Sequence, residues 1–283
     1  MSLSVLYCGS PEFAAVNLKS LLNLDVISKL SVISQPDKIR ARGKKVIPTE
    51  VKQVALESKL DVFCPISKEE FANLAKTIDP DLIIVVAYAM IIPKEITDSY
   101  LCINSHASIL PKYRGASPIQ TAILNQDTKT GICLIKMNEN LDEGPVISQD
   151  ELHISPQDTY DYIHDKLAAL SAKSLCKFLT SYNKTKQLDS KDQNHKLATY
   201  CHKIKKEDLL IDLTKDKASI LAHIKAYSSK PGAYIVQNEK RIKIIDASLK
   251  DEKLILTKIQ LEGKPIIRYS DYLLGRKDPI NLC

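Results

Sequence analysis

The chain of 283 residues lacks any apolar stretch long enough to cross a bilayer. Its longest apolar run, Leu82 to Ile92, holds eleven residues, against the ~20 that a membrane-spanning helix needs. The opening Met-Ser-Leu-Ser-Val-Leu shows no basic region ahead of a long apolar one and no Arg-rich presequence. No secretion or import signal is expected, and a cytoplasmic location is. Paired thiols are missing too. Seven cysteines (8, 64, 102, 133, 176, 201 and 283) are scattered and odd in number, with no Cys-x-x-Cys spacing. That speaks against a disulfide framework and a zinc ribbon, and leaves the thiols as small core hydrophobes in a reducing compartment. The first strand–turn–helix reads Gly9-Ser-Pro-Glu. It lacks the Gly-x-Gly-x-x-Gly that brings a backbone up to a pyrophosphate, so no nucleotide cofactor is expected. No metal is expected either. Internal repeats and low-complexity tracts are absent as well. Apolar residues at 44% and charged residues at 26% exclude a disordered or collagen-like chain.

What is present is unevenly distributed. Residues 200–283 carry 17 Lys/Arg and 11 Asp/Glu, while residues 1–199 carry 23 of each. Within that neutral part, Pro36 to Lys52 holds six bases (Lys38, Arg40, Arg42, Lys44, Lys45 and Lys52) against Asp37 and Glu50. One basic loop plus a basic C-terminal segment suits a polyanion such as RNA, or else a solvated lysine-rich surface.

The length allows one large domain or two ordinary ones. Apolar runs at Leu3–Cys8, Val26–Ser34, Asp81–Ala87, Cys102–Ser105, Ile132–Met137 and Val146–Leu152 read as strands. They alternate with helical patterns at Glu12–Leu22, Glu50–Ser58, Lys68–Thr77, from about Ser117, and over Thr159–Tyr182. In the first helix Ser10 is expected as the N-cap and Pro11 in the first turn. Asp81–Ala87 is continuously apolar, as a strand buried on both faces of a parallel sheet should be. The alternation predicts an α/β fold with a doubly wound, mostly parallel sheet over residues 1–182. Residues 183–202 read as a polar linker. Residues 203–283, with a helix at Lys217–Ala226 and short runs at Tyr234–Val236, Ile242–Ile245, Leu254–Thr257 and Pro265–Tyr269, predict a small β-barrel-like domain.

The chemistry concentrates in Cys102-Ile-Asn-Ser-His-Ala-Ser-Ile-Leu-Pro-Lys-Tyr-Arg-Gly. Asn104 and His106 lie two apart at the end of a strand, so their side chains share one face, at the carboxyl edge where open α/β sheets bind ligands. Asn138-Glu-Asn-Leu-Asp-Glu-Gly-Pro follows a strand that ends at Met137 and is expected to bring Asp142 to the same edge. Arg114 is left open between binding an anion and bracing its loop. His153, His164, His195, His202 and His223 show no partner pattern and read as surface or packing residues.

Asn-x-His, Ser108–Pro111, Arg114-Gly115 and Leu141-Asp-x-Gly144 together resemble the active-site signature of the 10-formyltetrahydrofolate-dependent formyltransferases. The resemblance implies Asn104, His106 and Asp142 as the catalytic trio. It implies Ser108, Ile109, Leu110, Pro111, Ala87, Tyr88, Met90, Asn138 and Asn140 as the folate site, with 10-formyltetrahydrofolate as co-substrate. Gln35–Pro48 resembles the basic loop of the branch that formylates initiator methionyl-tRNA. On that likeness Lys38, Arg40, Arg42, Lys44 and Lys45 are expected to contact tRNA, with Arg42 on the key position. Lys206-Glu-Asp, Lys230-Pro-Gly-Ala-Tyr and Gln260-Leu-Glu-Gly-Lys resemble the C-terminal barrel of the same branch, so the likeness runs nearly end to end. The implied product is N-formylmethionyl-tRNA for translation initiation, made by a monomer. The competing acceptor is an amino-sugar nucleotide or another small amine. A formate-releasing hydrolase and an RNA-binding module with a dead site are further alternatives.

The implied reaction sets three requirements. An attacking α-amine must lose a proton, and its pKa near ~8 makes a mild base such as His106 sufficient. The developing oxyanion needs a donor, which the Asn104 amide supplies. The imidazolium needs orientation and a counter-charge, which Asp142 supplies.

Overall fold

The computed structural model describes residues 2–39, 46–275 and 279–280. In chain order the elements are β1 (Leu3–Gly9), α1 (Glu12–Leu21), β2 (Ile27–Ile33), β3 (Lys38–Ile39), β4 (Val46–Ile47), α2 (Glu50–Glu57), β5 (Val62–Phe63), α3 (Lys68–Ile78), β6 (Leu82–Val86), α4 (Lys94–Ser99), β7 (Leu101–His106), β8 (Arg114–Gly115), α5 (Pro118–Leu124), β9 (Lys129–Lys136), β10 (Val146–His153) and α6 (Tyr160–Thr185). Beyond them come β11 (Tyr200–Cys201), α7 (Lys217–Ala226), β12 (Tyr234–Gln237), β13 (Lys240–Lys250), β14 (Lys253–Leu261), β15 (Ile266–Arg268) and α8 (Tyr269–Leu274).

Seven strands form one sheet in the order β10-β9-β7-β6-β1-β2-β5. The pairs β1–β2, β1–β6, β6–β7 and β2–β5 are parallel, and β7–β9 is antiparallel. The expected mostly parallel α/β sheet is therefore present. All five residues of β6 are buried, which is why this strand carries no alternation. Beneath β6 and β7, Phe71, Ala72 and Ala75 of α3 pack on Ile83, Val85 and Cys102. One set of buried polar side chains in the core is paired, as burial favours. The Ser105 and Ser171 hydroxyls lie 2.6 Å apart, and Ser171 donates to Asn17 Oδ1 at 2.7 Å, joining β7, α6 and α1.

The start of α1 differs from expectation. Pro11 itself occupies the N-cap without a side-chain cap, and the Ser10 hydroxyl accepts instead from Gln35 N at 3.2 Å. A proline one place earlier than expected displaces the serine from capping reach.

The chain divides into two compact units. The first comprises Met1–Arg114, Gly131–Glu151 and Asp165–Thr199, and the second Gly115–Thr130, Leu152–His164 and Tyr200–Cys283. In the second unit β12-β13-β14-β15 form an antiparallel sheet. Among the described residues its first and last strands do not pair with each other. Both long hairpins turn on two residues with positive φ, Asn238–Glu239 and Asp251–Glu252, the geometry that matches strand twist. Helix α7 starts on an Asp216 cap that accepts from Ser219 N at 2.9 Å. Near its other end Lys225, only 5% exposed, donates to Asp246 Oδ1 of β13 at 2.7 Å. Pro265–Tyr269, expected as one strand, resolves into the three residues of β15 followed by α8.

Candidate active site

The three residues expected to act together do meet, within the first unit. Asn104 and His106 project from one face of β7 while Ser105 points to the other. Asn104 Nδ2 donates to Asp142 Oδ1 at 3.1 Å, and His106 Nδ1 faces Asp142 Oδ2 at 3.6 Å. The side chains of His106 and Asp142 are only 6% and 10% exposed, so any charge on them is poorly screened by water.

The route by which Asp142 arrives corrects the sequence reading. β9 runs antiparallel to β7, so it ends beside the start of β7: Met137 N donates to Cys102 O at 2.8 Å. The loop therefore leaves from the opposite end of the strand and folds back to reach Asn104 and His106. Asp142 makes the bend in a left-handed conformation, φ +52°, which costs a non-glycine residue on the order of 1–3 kcal/mol and persists only where its surroundings enforce it. Gly144 completes the bend. A Cβ there would run into Lys136 O, so only glycine lets the loop close on β9.

The other histidine nitrogen has a fixed partner. His106 Nε2 lies 2.9 Å from Tyr113 O. A carbonyl only accepts, so Nε2 carries the proton and Nδ1 offers its lone pair beside Asp142. Asn104 has two amide N–H groups. One is held by Asp142, which fixes the amide plane and leaves the second for an oxyanion. The set can thus take a proton at His106 Nδ1, stabilise the resulting imidazolium with Asp142, and donate a hydrogen bond from Asn104 to a tetrahedral oxygen.

The residues expected around a folate lie on three loops. Ala87 is exposed with φ +46°, and Tyr88 and Met90 are half-buried against the core under β6. The Tyr88 ring packs 6.1 Å from Phe71, and burial pushes its hydroxyl above the ordinary tyrosine value. Leu110 is buried against Cys133 and Ile135, with Ile109 and Pro111 half-buried beside it. Ser108 is fully buried and its hydroxyl donates to Lys112 O at 2.6 Å, bracing the loop. Asn138 and Asn140 are exposed, and Asn138 Oδ1 accepts from Asn140 N at 3.0 Å. The half-buried Tyr88, Met90, Ile109 and Pro111 give these loops apolar side chains of the kind that pack against a flat aromatic ring. Cys102 of β7 and Cys133 of β9 are buried thiols. Burial pushes Cys102 up to about 12 and Cys133 up to about 11, far from the thiolate range at neutral pH.

Arg40, Arg42, Lys44 and Lys45 lie outside the described residues, and so does the side chain of Lys38. Among the described residues no group of His, Cys, Asp and Glu is arranged to hold a metal ion.

Of the groups behind the trio, sequence reading left Arg114 open between anion binding and bracing its loop, and missed Gln193. Arg114 is 1% exposed; its Nη1 reaches Glu143 Oε1 at 2.8 Å, and its Nε and Nη2 reach Gln193 Oε1 at 3.2 and 2.9 Å. The guanidinium braces the loop. His195 and His202, read as surface or packing residues, also make polar contacts: Arg114 Nη2 donates to His195 Nδ1 at 3.2 Å, and His202 Nε2 lies 3.2 Å from Asp208 Oδ2. Gln193 and His195 sit in a polar stretch without periodicity, where no spacing pattern announces such contacts.

Two family profiles match the chain: "Formyl transferase" over residues 1–179 and "Formyl transferase, C-terminal domain" over residues 203–254. The chain belongs to the formyl transferase family. It is accordingly an enzyme of formyl transfer. Among proteins of this family, methionyl-tRNA formyltransferase of Thermotoga maritima is 39% identical over 268 residues, covering 92% of this chain and 85% of that protein. The methionyl-tRNA formyltransferase of Francisella tularensis subsp. mediasiatica is 40% identical over 247 residues, 86% and 77%. Among solved structures, the methionyl-tRNA formyltransferase from Clostridium thermocellum superposes with a TM-score of 0.63 at 20% identity, over 92% of this chain and 98% of that one. The sugar 3N-formyl transferase WlaRD superposes with a TM-score of 0.68 at 19% identity, over 95% and 97%. HypX from Aquifex aeolicus, solved with tetrahydrofolic acid, gives 0.69 at 16% identity, over 99% of this chain and 49% of that one. At such identities the structural likenesses establish the shared fold.

Proposed function

We propose that the protein transfers the formyl group of 10-formyltetrahydrofolate to the α-amine of methionine esterified to initiator tRNA. The observation that carries the chemistry is the meeting of Asn104, His106 and Asp142 around one point. The neutral amine attacks the formyl carbon as its proton passes to His106 Nδ1. The carbonyl oxygen becomes an oxyanion facing the free N–H of Asn104. The C–N10 bond then breaks, with N10 taking a proton from the imidazolium, which Asp142 has stabilised throughout. In this reading Ala87–Met90, Ser108–Pro111 and Asn138–Asn140 border the folate.

The tRNA acceptor is favoured over an amino-sugar nucleotide by two facts. The relatives at 39–40% identity act, by their names, on methionyl-tRNA. The excess of basic residues also falls in the C-terminal segment and in residues 38–45, where an RNA backbone can be neutralised. We assign residues 1–182 to catalysis and 203–283 to tRNA binding in a cytoplasmic monomer. Formylation of initiator and elongator methionyl-tRNA, each supplied with 10-formyltetrahydrofolate, tests the reading. Preferential formylation of the initiator is expected. Transfer to an amino-sugar nucleotide with none to methionyl-tRNA would overturn it.

A further inference from the structure

Residues 193–199 lie between the two family profiles, which end at 179 and resume at 203, yet they touch the site at both catalytic loops. The Gln193 amide is 6% exposed and fully used. Its Oε1 accepts from Nε and Nη2 of Arg114, and its Nε2 donates to Asp142 O and Gly144 O, each at 2.8 Å. It therefore clamps both sides of the bend that carries the left-handed Asp142. The Arg114–Glu143 pair at 2.8 Å closes the same bend from its middle residue.

Six residues later, Thr199 does the equivalent for the histidine. Its Oγ1 accepts from Tyr113 N at 2.9 Å, its carbonyl accepts from Arg114 N at 2.9 Å, and its own N–H donates to Pro111 O at 3.2 Å. Tyr113 is the residue whose carbonyl holds His106 Nε2, and it too is left-handed, φ +61°. Two sterically disfavoured backbones, each setting one member of the trio, are pinned by the same seven-residue segment.

We propose that residues 193–199 are a positioning strap for the reaction, with Gln193 setting Asp142 and Thr199 setting His106 through Tyr113. The proposal rests on the formyl-transfer reading of the site. Neither residue touches the reacting atoms. Their effect is on the placement of groups that must lie within a fraction of an ångström of a productive geometry.

Gln193→Glu keeps size and the acceptor for Arg114, but turns a carboxylate oxygen toward two backbone carbonyls. Thr199→Val keeps shape and removes the acceptor for Tyr113 N, and Thr199→Ser restores it. Steady-state formylation of initiator methionyl-tRNA is measured for each, with thermal unfolding in parallel. The strap predicts that kcat falls by about 10- to 100-fold in Gln193→Glu and Thr199→Val, with KM for both substrates unchanged, the unfolding temperature near the parent's, and kcat recovered in Thr199→Ser. Parental kcat in the first two variants would overturn it. A loss that follows the unfolding temperature and is not recovered by serine would also overturn it, by making the segment a brace of the fold alone. A parent protein that does not formylate methionyl-tRNA would instead overturn the functional reading on which the strap rests.

Discussion

Asp142→Asn isolates what a negative charge beside His106 contributes. The amide keeps an acceptor for Asn104 Nδ2, now at 3.1 Å from Asp142, and keeps the backbone carbonyl that Gln193 holds. Geometry is conserved while the charge goes. Carboxylate and imidazole approach to 3.6 Å, with side chains 10% and 6% exposed. Two unit charges at that separation interact by about 4–5 kcal/mol at an effective dielectric of ~20. That interaction exists only while the imidazole is protonated, so it counts for the transition state and not for the resting enzyme. Residual hydration and reorientation reduce the realised share to about 2–4 kcal/mol, or roughly 30- to 1000-fold in kcat. The assay is formylation at saturating donor and acceptor, with circular dichroism to confirm folding. A folded Asp142→Asn variant with parental kcat would refute the idea that the carboxylate balances an imidazolium.

Four other outcomes are expected. Gly144→Ala should abolish formyl transfer while leaving the sheet intact by circular dichroism, because its Cβ has no room beside Lys136 O. Asp246→Asn should lower the unfolding free energy by about 1–3 kcal/mol, the cost of leaving the buried Lys225 ammonium unpaired, reduced for the partial exposure of the aspartate. Burial pushes His223 below the ordinary histidine value, and its buried Nε2 has no hydrogen-bond partner among the described residues. The folded state thus favours neutral His223. Stability is full above the unfolded value of ~6.5 and declines as pH falls through it toward the lower folded value; His223→Phe should flatten the fall in unfolding temperature between about pH 7 and 5.5. Finally, Arg42→Ala should raise KM for methionyl-tRNA more than it lowers kcat, with a weaker dependence of KM on salt.

The sequence reading succeeded where one physical signal dominates. β6 is buried on both faces, so its apolar run stood out, and the six long strands and helices of the sheet follow the expected segments to within a few residues. Short elements escaped for the same reason: β5, β8 and β11 have two residues each, too few for a period of two to register. At the site, Asn104 and His106 were legible from their i, i+2 spacing on a strand. Asp142 was expected in the right company by the wrong path, since nothing in Ile132–Met137 reveals that β9 runs antiparallel to β7. The contacts of Gln193 and Thr199 were invisible because they join positions 49 to 88 residues apart through individual hydrogen bonds, which leave no pattern in composition or periodicity.

The central claim is that an amide, an imidazole and a carboxylate act as one unit on a single formyl carbon. Single-turnover formylation of initiator methionyl-tRNA by Asn104→Ala, His106→Ala and the double variant tests it most directly. Groups that act together lose their effects together, so the double variant should be little slower than the slower single one, and each single variant should lose about 10²–10⁴ in rate. A parental rate in either single variant, or losses that multiply in the double, would contradict the account.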